Sequence, residues 1–414
     1  MISHELGAVA ADREGRFRGL VAAHAVSTYG NYLNLIALSL FSYEVTGTAF
    51  GIGAFMALRL AAGVLSGLAA GVLVRPQNRR TFMIGTDLAQ AAAMAVLAVR
   101  SETGVLLLAA VVVVLGSGNT LFNVALRSAV PAMVGQDNRV QANGLLVTAR
   151  SLATVLGFAS AAPVIGVGGF RMAFALNAVS FVVSAAALLF LRLRTHDESV
   201  TDAEGAATSS TRLGLAGLAP LLLGMLLLRG ADALGSSSHN VALPVVAELS
   251  DPGHPAVFMT QFWAAWAVGS LLPHQLVKRW KRWRQALEDE RAFAFGTCLM
   301  SVSFVLAFTG LPGPALVVVA LAAGLADGFT DISYTSRLQT EPDERRGRLF
   351  GLSAVAETSG FAVGTVASAW ALESAPPLQV VAVFHGLALC GAMLFLLLAG
   401  RRRSTNAPAA NSGE

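Results

Sequence analysis

A small set of ionisable side chains stands inside long apolar stretches of this chain: Arg59, Arg150, Arg229, Asp232, Asp327, Asp331 and Glu357. A charge in such a setting costs about 2.5–3.5 kcal/mol on insertion scales, so each is there for a partner or a task. Asp327 and Asp331 are four residues apart and share one helix face. Carboxylates held that close repel each other, and a proton on one relieves the repulsion. Such a pair can exchange a proton for cargo. The alternative for Asp331 is a solvated position near the cytoplasmic mouth, or a pair with Arg337. Arg229 and Asp232, three apart, can neutralise each other as a structural ion pair, or form a cavity-facing pair that protonation or cargo breaks.

Neutral groups extend the set. His239 lies in the run GSSSHN (235–240), which is rich in groups that could loosen a helix and bind ligand. Its imidazole can titrate in the physiological range or serve as a plain hydrogen-bonding group. Tyr29, Asn31, Tyr32 and Asn34 on one apolar stretch, with Asn119 and Asn123 on another, offer polar groups to a cavity or hydrogen bonds between helices. Phe262, Trp263 and Trp266 could stack on planar cargo, or pack.

The elements that carry these residues follow from composition. Of 414 residues, 55% are hydrophobic and only 13% are charged. A soluble fold could not hide so much apolar surface behind so few charges. Disulfide scaffolds, disordered chains and nucleic-acid binders are excluded on the same ground. The two cysteines, Cys298 and Cys390, lie in apolar runs and read as buried thiols. No CxxC occurs and the histidines are scattered, so no metal site or cofactor is expected. A short apolar region with a small-residue cleavage site is lacking, which argues against a cleaved signal peptide.

A bilayer-spanning helix needs about 20 apolar residues. Twelve are expected, at 19–42, 49–73, 81–99, 104–126, 140–165, 172–191, 213–236, 256–277, 292–310, 314–336, 349–372 and 378–400. The fold class is thus an all-α polytopic membrane protein. The stretch 1–18 is an N-terminal segment, 19–191 a first six-helix half, 192–212 a polar linker, 213–400 a second half and 401–414 a polar tail. With the N-terminus and alternate loops assigned to the cytoplasm, nearly every Lys and Arg falls on that side. The outer loops hold only Arg100 and Arg171. That bias is the positive-inside pattern, and it predicts both termini in the cytoplasm. The basic run KRWKRWR (278–284) then reads as a juxtamembrane anchor to anionic lipid headgroups.

The halves repeat. At an offset of 208, Gly116 meets Gly324, Asn119 meets Asp327 and Asn123 meets Asp331. With one deletion, Gly144 meets Gly351, Arg150 meets Glu357 and Gly157 meets Gly364. At 205, Gly30 meets Gly235, Asn34 meets His239 and Leu38 meets Leu243. The common spacing of half the chain implies two six-helix halves related by a parallel repeat.

The stretches SYEVTGTAFGIG (42–53), FNVALRSAVPAMV (122–134), QANGLL (141–146), FALNAVSF (174–181) and RRGRLFG (345–351) carry a resemblance that covers nearly the whole chain. The chain resembles the major facilitator superfamily, and within it the branch of enterobactin exporters and macrolide-efflux proteins. The resemblance implies twelve helices in two pseudo-symmetric halves, and a cavity lined by helices 1, 4, 7 and 10. It places helices 2 and 11 against each other. At about 1.5 Å per residue, Arg59 and Glu357 both fall near the middle of an apolar core of about 30 Å. A pair between them that forms in one state and breaks in another is the expectation, with Arg150 or a proton as the competing partner of Glu357. The superfamily's loop between helices 2 and 3 runs Gly-x-Leu-x-Asp-Arg-x-x-Arg-Arg. Here Gly71, Leu73, Arg79 and Arg80 match, while Arg75 and Pro76 replace the Asp-Arg. The usual cytoplasmic latch cannot form.

These readings converge on a secondary transporter in the cell (plasma or inner) membrane. Resemblance adds proton-coupled efflux of a small amphipathic molecule by alternating access, in a monomer. A Walker motif, an embedded nucleophile and an acid–base set are all lacking, so neither ATP drive within this chain nor an enzyme is expected. An importer of a metabolite, or a non-transporting sensor favoured by the altered loop, are the alternatives.

Overall fold

The computed structural model describes residues 2–74, 78–100, 103–134, 139–190, 220–279, 290–341 and 343–406. Among them the chain forms eleven helices. These are α1 (Ile2–Thr46), α2 (Ala49–Leu73), α3 (Arg79–Val99), α4 (Val105–Val134), α5 (Arg139–Phe190) and α6 (Pro220–Ser250). They continue with α7 (Pro255–Arg279), α8 (Glu290–Ala307), α9 (Gly313–Gln339), α10 (Asp343–Ala371) and α11 (Pro377–Asn406). Helices satisfy every backbone polar group internally, which a lipid environment demands. Eight of them are long and apolar enough to cross a membrane.

The expected twelve become eleven because 140–165 and 172–191 run together as the 52-residue α5. One residue inside it leaves helical geometry, Gly169, with φ 64°. Only glycine takes that conformation without strain, and α5 bends there. α1 also differs from expectation: it starts at Ile2 rather than 19 and ends at Thr46. No proline interrupts it. Gly47, at φ 68°, stops it, with its N–H donating to Tyr43 O at 2.7 Å. Thr48 then caps α2 by accepting from the Gly51 N–H at 3.0 Å. The linker 192–212 and the tail beyond 406 lie outside the described residues, as do residues 280–284 of the basic run.

Contacts divide the chain into two compact units, Met1–Ser209 with Ala247–Thr260, and Ser210–Val246 with Gln261–Glu414. In the first, α5 packs on α1 and α3, and α4 on α2 and α3. Phe55, Met94, Leu115, Phe174 and Phe181 form one buried cluster, and Phe17, Met83, Phe122 and Leu188 another. In the second, α8 packs on α9 and α11 around Met225, Phe293, Tyr334 and Phe395. Large apolar side chains such as Leu68, Leu106 and Phe190 face outward, about 80% exposed, while Asn34, Asp87 and His385 are buried. Polar inside and apolar outside is the pattern of a protein dissolved in lipid.

Glycines set the helix spacing, and they do so twice. A Cβ on Gly116 would strike the Arg59 carbonyl, and one on Gly324 would strike the Trp266 carbonyl. A Cβ on Gly157 would come within 2.7 Å of Tyr29 O, and one on Gly364 within 2.7 Å of Leu234 O. These are the repeat-equivalent positions. Small residues let backbones approach where lipid supplies no hydrophobic drive. Each unit also has an arginine that donates to helix carbonyls. Arg80 donates to Leu188 O and Leu189 O (2.9 and 2.8 Å), and Arg291 donates to Ala399 O (3.4 Å). Arg80, a gating candidate by sequence, thus binds the carbonyl end of α5, where a cation is favoured.

Overpacking at such contacts costs typically about 1–3 kcal/mol or more. Gly116→Leu and Gly324→Leu should each lower the monodisperse yield of detergent-purified protein several-fold. Gly144→Leu, whose Cβ would meet nothing within 4 Å, should leave it unchanged. Equal yields for all three, read by size-exclusion chromatography, would remove the close-packing argument.

Candidate functional site

In the second unit the charged candidates meet on one guanidinium. Arg229, on α6, receives Glu357 from α10 through both oxygens: Oε1 lies 3.3 Å from Nη2 and Oε2 3.4 Å from Nε. Asp331 Oδ1, from α9, lies 3.5 Å from Nη2, and Asp232 Oδ2 lies 3.7 Å from Nη1. The Tyr334 ring covers the guanidinium at 5.4 Å, and its hydroxyl donates to Ser353 Oγ at 2.8 Å. Backbone packing explains the meeting. Gly360 sits against the Gly230 carbonyl, so Glu357, one turn earlier on α10, reaches Arg229. Asp327 stands one turn before Asp331 on the same face of α9, with no ion pair among the described residues.

The cluster is open on one side. Arg229 and Asp232 side chains are 13% and 6% exposed, whereas Asp331 and Glu357 are 55% and 49% exposed. A proton or a ligand can therefore reach two of the three carboxylates while the guanidinium stays covered. Three expectations meet the structure here. Glu357 pairs with Arg229 of its own unit. Asp331 pairs with Arg229, because Arg337 bonds Glu341 at 2.8 Å. The Arg229–Asp232 pair is present but belongs to a larger set.

The GSSSHN run does not loosen α6. Ser237 and Ser238 donate back to Leu234 O and Gly235 O at 2.7 and 2.6 Å, and Asn240 donates to Ser236 O at 2.8 Å. Their polar groups are spent inside the helix, which continues to Ser250. His239 is buried in side-chain packing. Its ring stacks on Phe304 with centroids 3.6 Å apart, and Nδ1 lies 3.1 Å from Nε2 of buried His385. Phe262 and Trp263 are buried in the same packing, so they are core rather than a stacking platform.

In the first unit, side chains from five helices line a cavity of about 280 Å³. α1 contributes His24, Ser27, Thr28, Asn31 and Tyr32 at helical spacing; α2 contributes Arg59. α3 adds Asp87 and Gln90, α4 adds Asn119, Asn123 and Arg127, and α5 adds Arg150. Arg150 donates to Tyr32 Oη at 3.3 and 3.2 Å from Nε and Nη2. Asn123 Nδ2 donates to Asn119 O at 2.8 Å. Five of the sequence candidates, Asn31, Tyr32, Asn119, Asn123 and Arg150, therefore share one cavity with Arg59. Two do not. Asn34 is fully buried outside it, and Tyr29 turns its hydroxyl to Ser160 Oγ at 2.9 Å.

Sequence reasoning missed His24, Asp87, Gln90, Arg127 and His385. The first three had a readable signal. His24 extends the polar stripe 24, 27, 28, 31 on one face of α1, and Asp87 and Gln90 are polar residues three apart inside an apolar stretch. His385 had none, since its partner is 146 residues away. Of the other gating candidates, Gly71 lies in the last turn of α2 and Arg79 opens α3, while residues 75–77 lie outside the described residues.

Comparison with known proteins follows this geometry. Among the solved structures similar to this chain is a bacterial homologue of the iron transporter ferroportin in an inward-facing state. Its TM-score is 0.71 at 15% identity, over 93% of this chain and 98% of that one. A bacterial homologue of the human lysosomal transporter Spinster gives 0.70 at 12%, over 96% and 99%. The nucleoside transporter NupG gives 0.67 at 15%, over 92% and 99%. At these identities they establish the fold alone. No protein among curated sequences matches the chain. A family model described as the Major Facilitator Superfamily matches residues 20–288. The chain thus belongs to the Major Facilitator Superfamily, as a multi-pass membrane transporter and not an enzyme.

Proposed function

We propose that this transporter is a proton-coupled exporter of a small amphipathic molecule, an antibiotic, siderophore or other secondary metabolite, working by alternating access. The observation that carries the reading is the Arg229 cluster. One guanidinium faces three carboxylates from three helices, and a fourth, Asp327, stands one turn away. One positive charge cannot balance them in an apolar setting. Protons complete the balance, and cargo that competes for Arg229 or for a carboxylate changes how many are held. Such a site couples proton uptake to cargo release without a cofactor. Efflux as the direction rests on the resemblance to the enterobactin-exporter and macrolide-efflux branch. Twelve spans, cytoplasmic termini, a plasma or inner membrane location, a monomer, and anionic lipid at Lys278–Arg284 belong to the same reading.

Transport is tested in cells with and without the protein, with and without a proton uncoupler. A panel of amphipathic compounds should include one whose accumulation falls when the protein is present and recovers with uncoupler. Glu357→Gln should remove most of that difference and flatten its dependence on external pH. Accumulation that rises with the protein would mean import, and no difference across the panel would favour a sensor.

Stability gives a separate check. Breaking a covered ion pair by removing one partner costs about 3–5 kcal/mol. Arg229→Gln should therefore lower the unfolding temperature of the purified protein markedly, and Asp232→Asn in the same chain should recover much of the loss. A double variant as unstable as the single one would show that Arg229 acts through packing rather than charge.

A further inference from the structure

We propose that the first unit's cavity is an anion receptor. It takes a small organic molecule through a carboxylate or phosphate group held among Arg59, Arg127 and Arg150. The proposal deepens the transporter reading by assigning a substrate class, and it rests on that reading for the statement that the bound molecule is cargo.

Charge is the first argument. Three guanidinium groups line the cavity against one carboxylate, Asp87. Among the described residues no carboxylate lies within ion-pairing distance of any of the three. Arg150 meets only the neutral hydroxyl of Tyr32, at 3.2–3.3 Å. The second unit treats its cation oppositely, surrounding Arg229 with acids. Arg59 is half-buried while Arg127 and Arg150 are exposed at the cavity, so the three cations converge on a polar opening that an anion can enter, and their planar donor forks fit carboxylate and phosphate oxygens.

Unspent polar atoms are the second argument. Asp87 and Gln90 are each 1% exposed, yet Asp87 Oδ2 and Gln90 Oε1 find no hydrogen-bond partner among the described residues. Both residues line this cavity. Buried acceptors without donors are costly, and a hydroxyl or amine on the same ligand satisfies them. Phe122 and Phe181 supply apolar wall for a carbon skeleton. The ligand class is therefore a small hydroxy- or amino-substituted organic anion. At about 280 Å³ the cavity is near the lower end of the ligand-site range of about 300–1,000 Å³.

The test measures binding without any gradient or transport, so its outcome is independent of whether export is proton-driven. The full chain is placed in neutral phosphatidylcholine nanodiscs, and its unfolding temperature is followed with benzoate, phenyl phosphate, benzyl alcohol and benzylamine. Ligands that bind only the folded state raise that temperature with concentration. Benzoate and phenyl phosphate should raise it by several degrees in the millimolar range, and the alcohol and amine should not. Arg59→Gln and Arg150→Gln should weaken the response about tenfold, and Arg59→Lys should retain part of it. Should the Gln variants not fold, the wild-type series of matched probes decides alone. No response to either anion, a response to benzylamine, or an unchanged response in the Gln variants overturns the proposal. So does stabilisation by phosphatidylglycerol nanodiscs with none by the free anions, since the site would then serve a lipid headgroup.

Discussion

A charge held among apolar helices has to be balanced by groups the protein itself brings there. Lipid offers nothing in return, and burial strips much of the water away. Arg229 makes the demand concrete. Its guanidinium sits under Tyr334 and draws carboxylates from α6, α9 and α10. Those helices must then come close enough for short side chains to meet. The Gly360–Gly230 contact provides the approach, and the glycines of α9 provide the same for its neighbour α7. The electrostatic requirement and the small-residue packing are one arrangement seen from two sides. Neither would be stable in lipid without the other.

The two units use one frame for different chemistry. The contacts of Gly116 and Gly157 in the first recur at Gly324 and Gly364 in the second. Arg80 donates two bonds to the end of α5, and in the second unit Arg291 donates one to α11. Backbone spacing is thus held fixed through the repeat. The side chains pointing from equivalent turns are not. Asn119 and Asn123 stand where the second unit has Asp327 and Asp331, and Arg150 stands where it has Glu357. Polar residues at these turns change sign or lose charge while the helix contacts around them persist.

This frame was legible in the sequence because it depends on period and composition. Apolar length marked the spans, and the glycine offsets marked the repeat. The Arg229–Asp232 pair was legible because three residues on one helix fix a distance. The partner of Glu357 was not. Depth along a helix axis placed Arg59 and Glu357 at one level, but depth is a single coordinate. Which neighbour a side chain meets also depends on rotation about the axis, and Gly360 sets that rotation for Glu357. GSSSHN misled for a related reason: serine and asparagine can satisfy themselves within a helix as readily as they can break one. Merging of the fifth and sixth expected helices turned on one residue, Gly169, whose positive φ bends α5 without ending it.

The contrast between units bears on how one chain can couple two ligands. An acid-rich cluster favours protons and an arginine-rich one favours anions. The groups around Arg229 carry an excess of negative charge, and the first unit's cavity carries an excess of positive charge. On the proposed reading, a proton complements the first and an organic anion the second. The glycine contacts that hold the helices of each cluster recur through the repeat, which gives the two units a common frame. Within the first unit, Arg80 adds to that frame by anchoring α3 to α5 through two carbonyls.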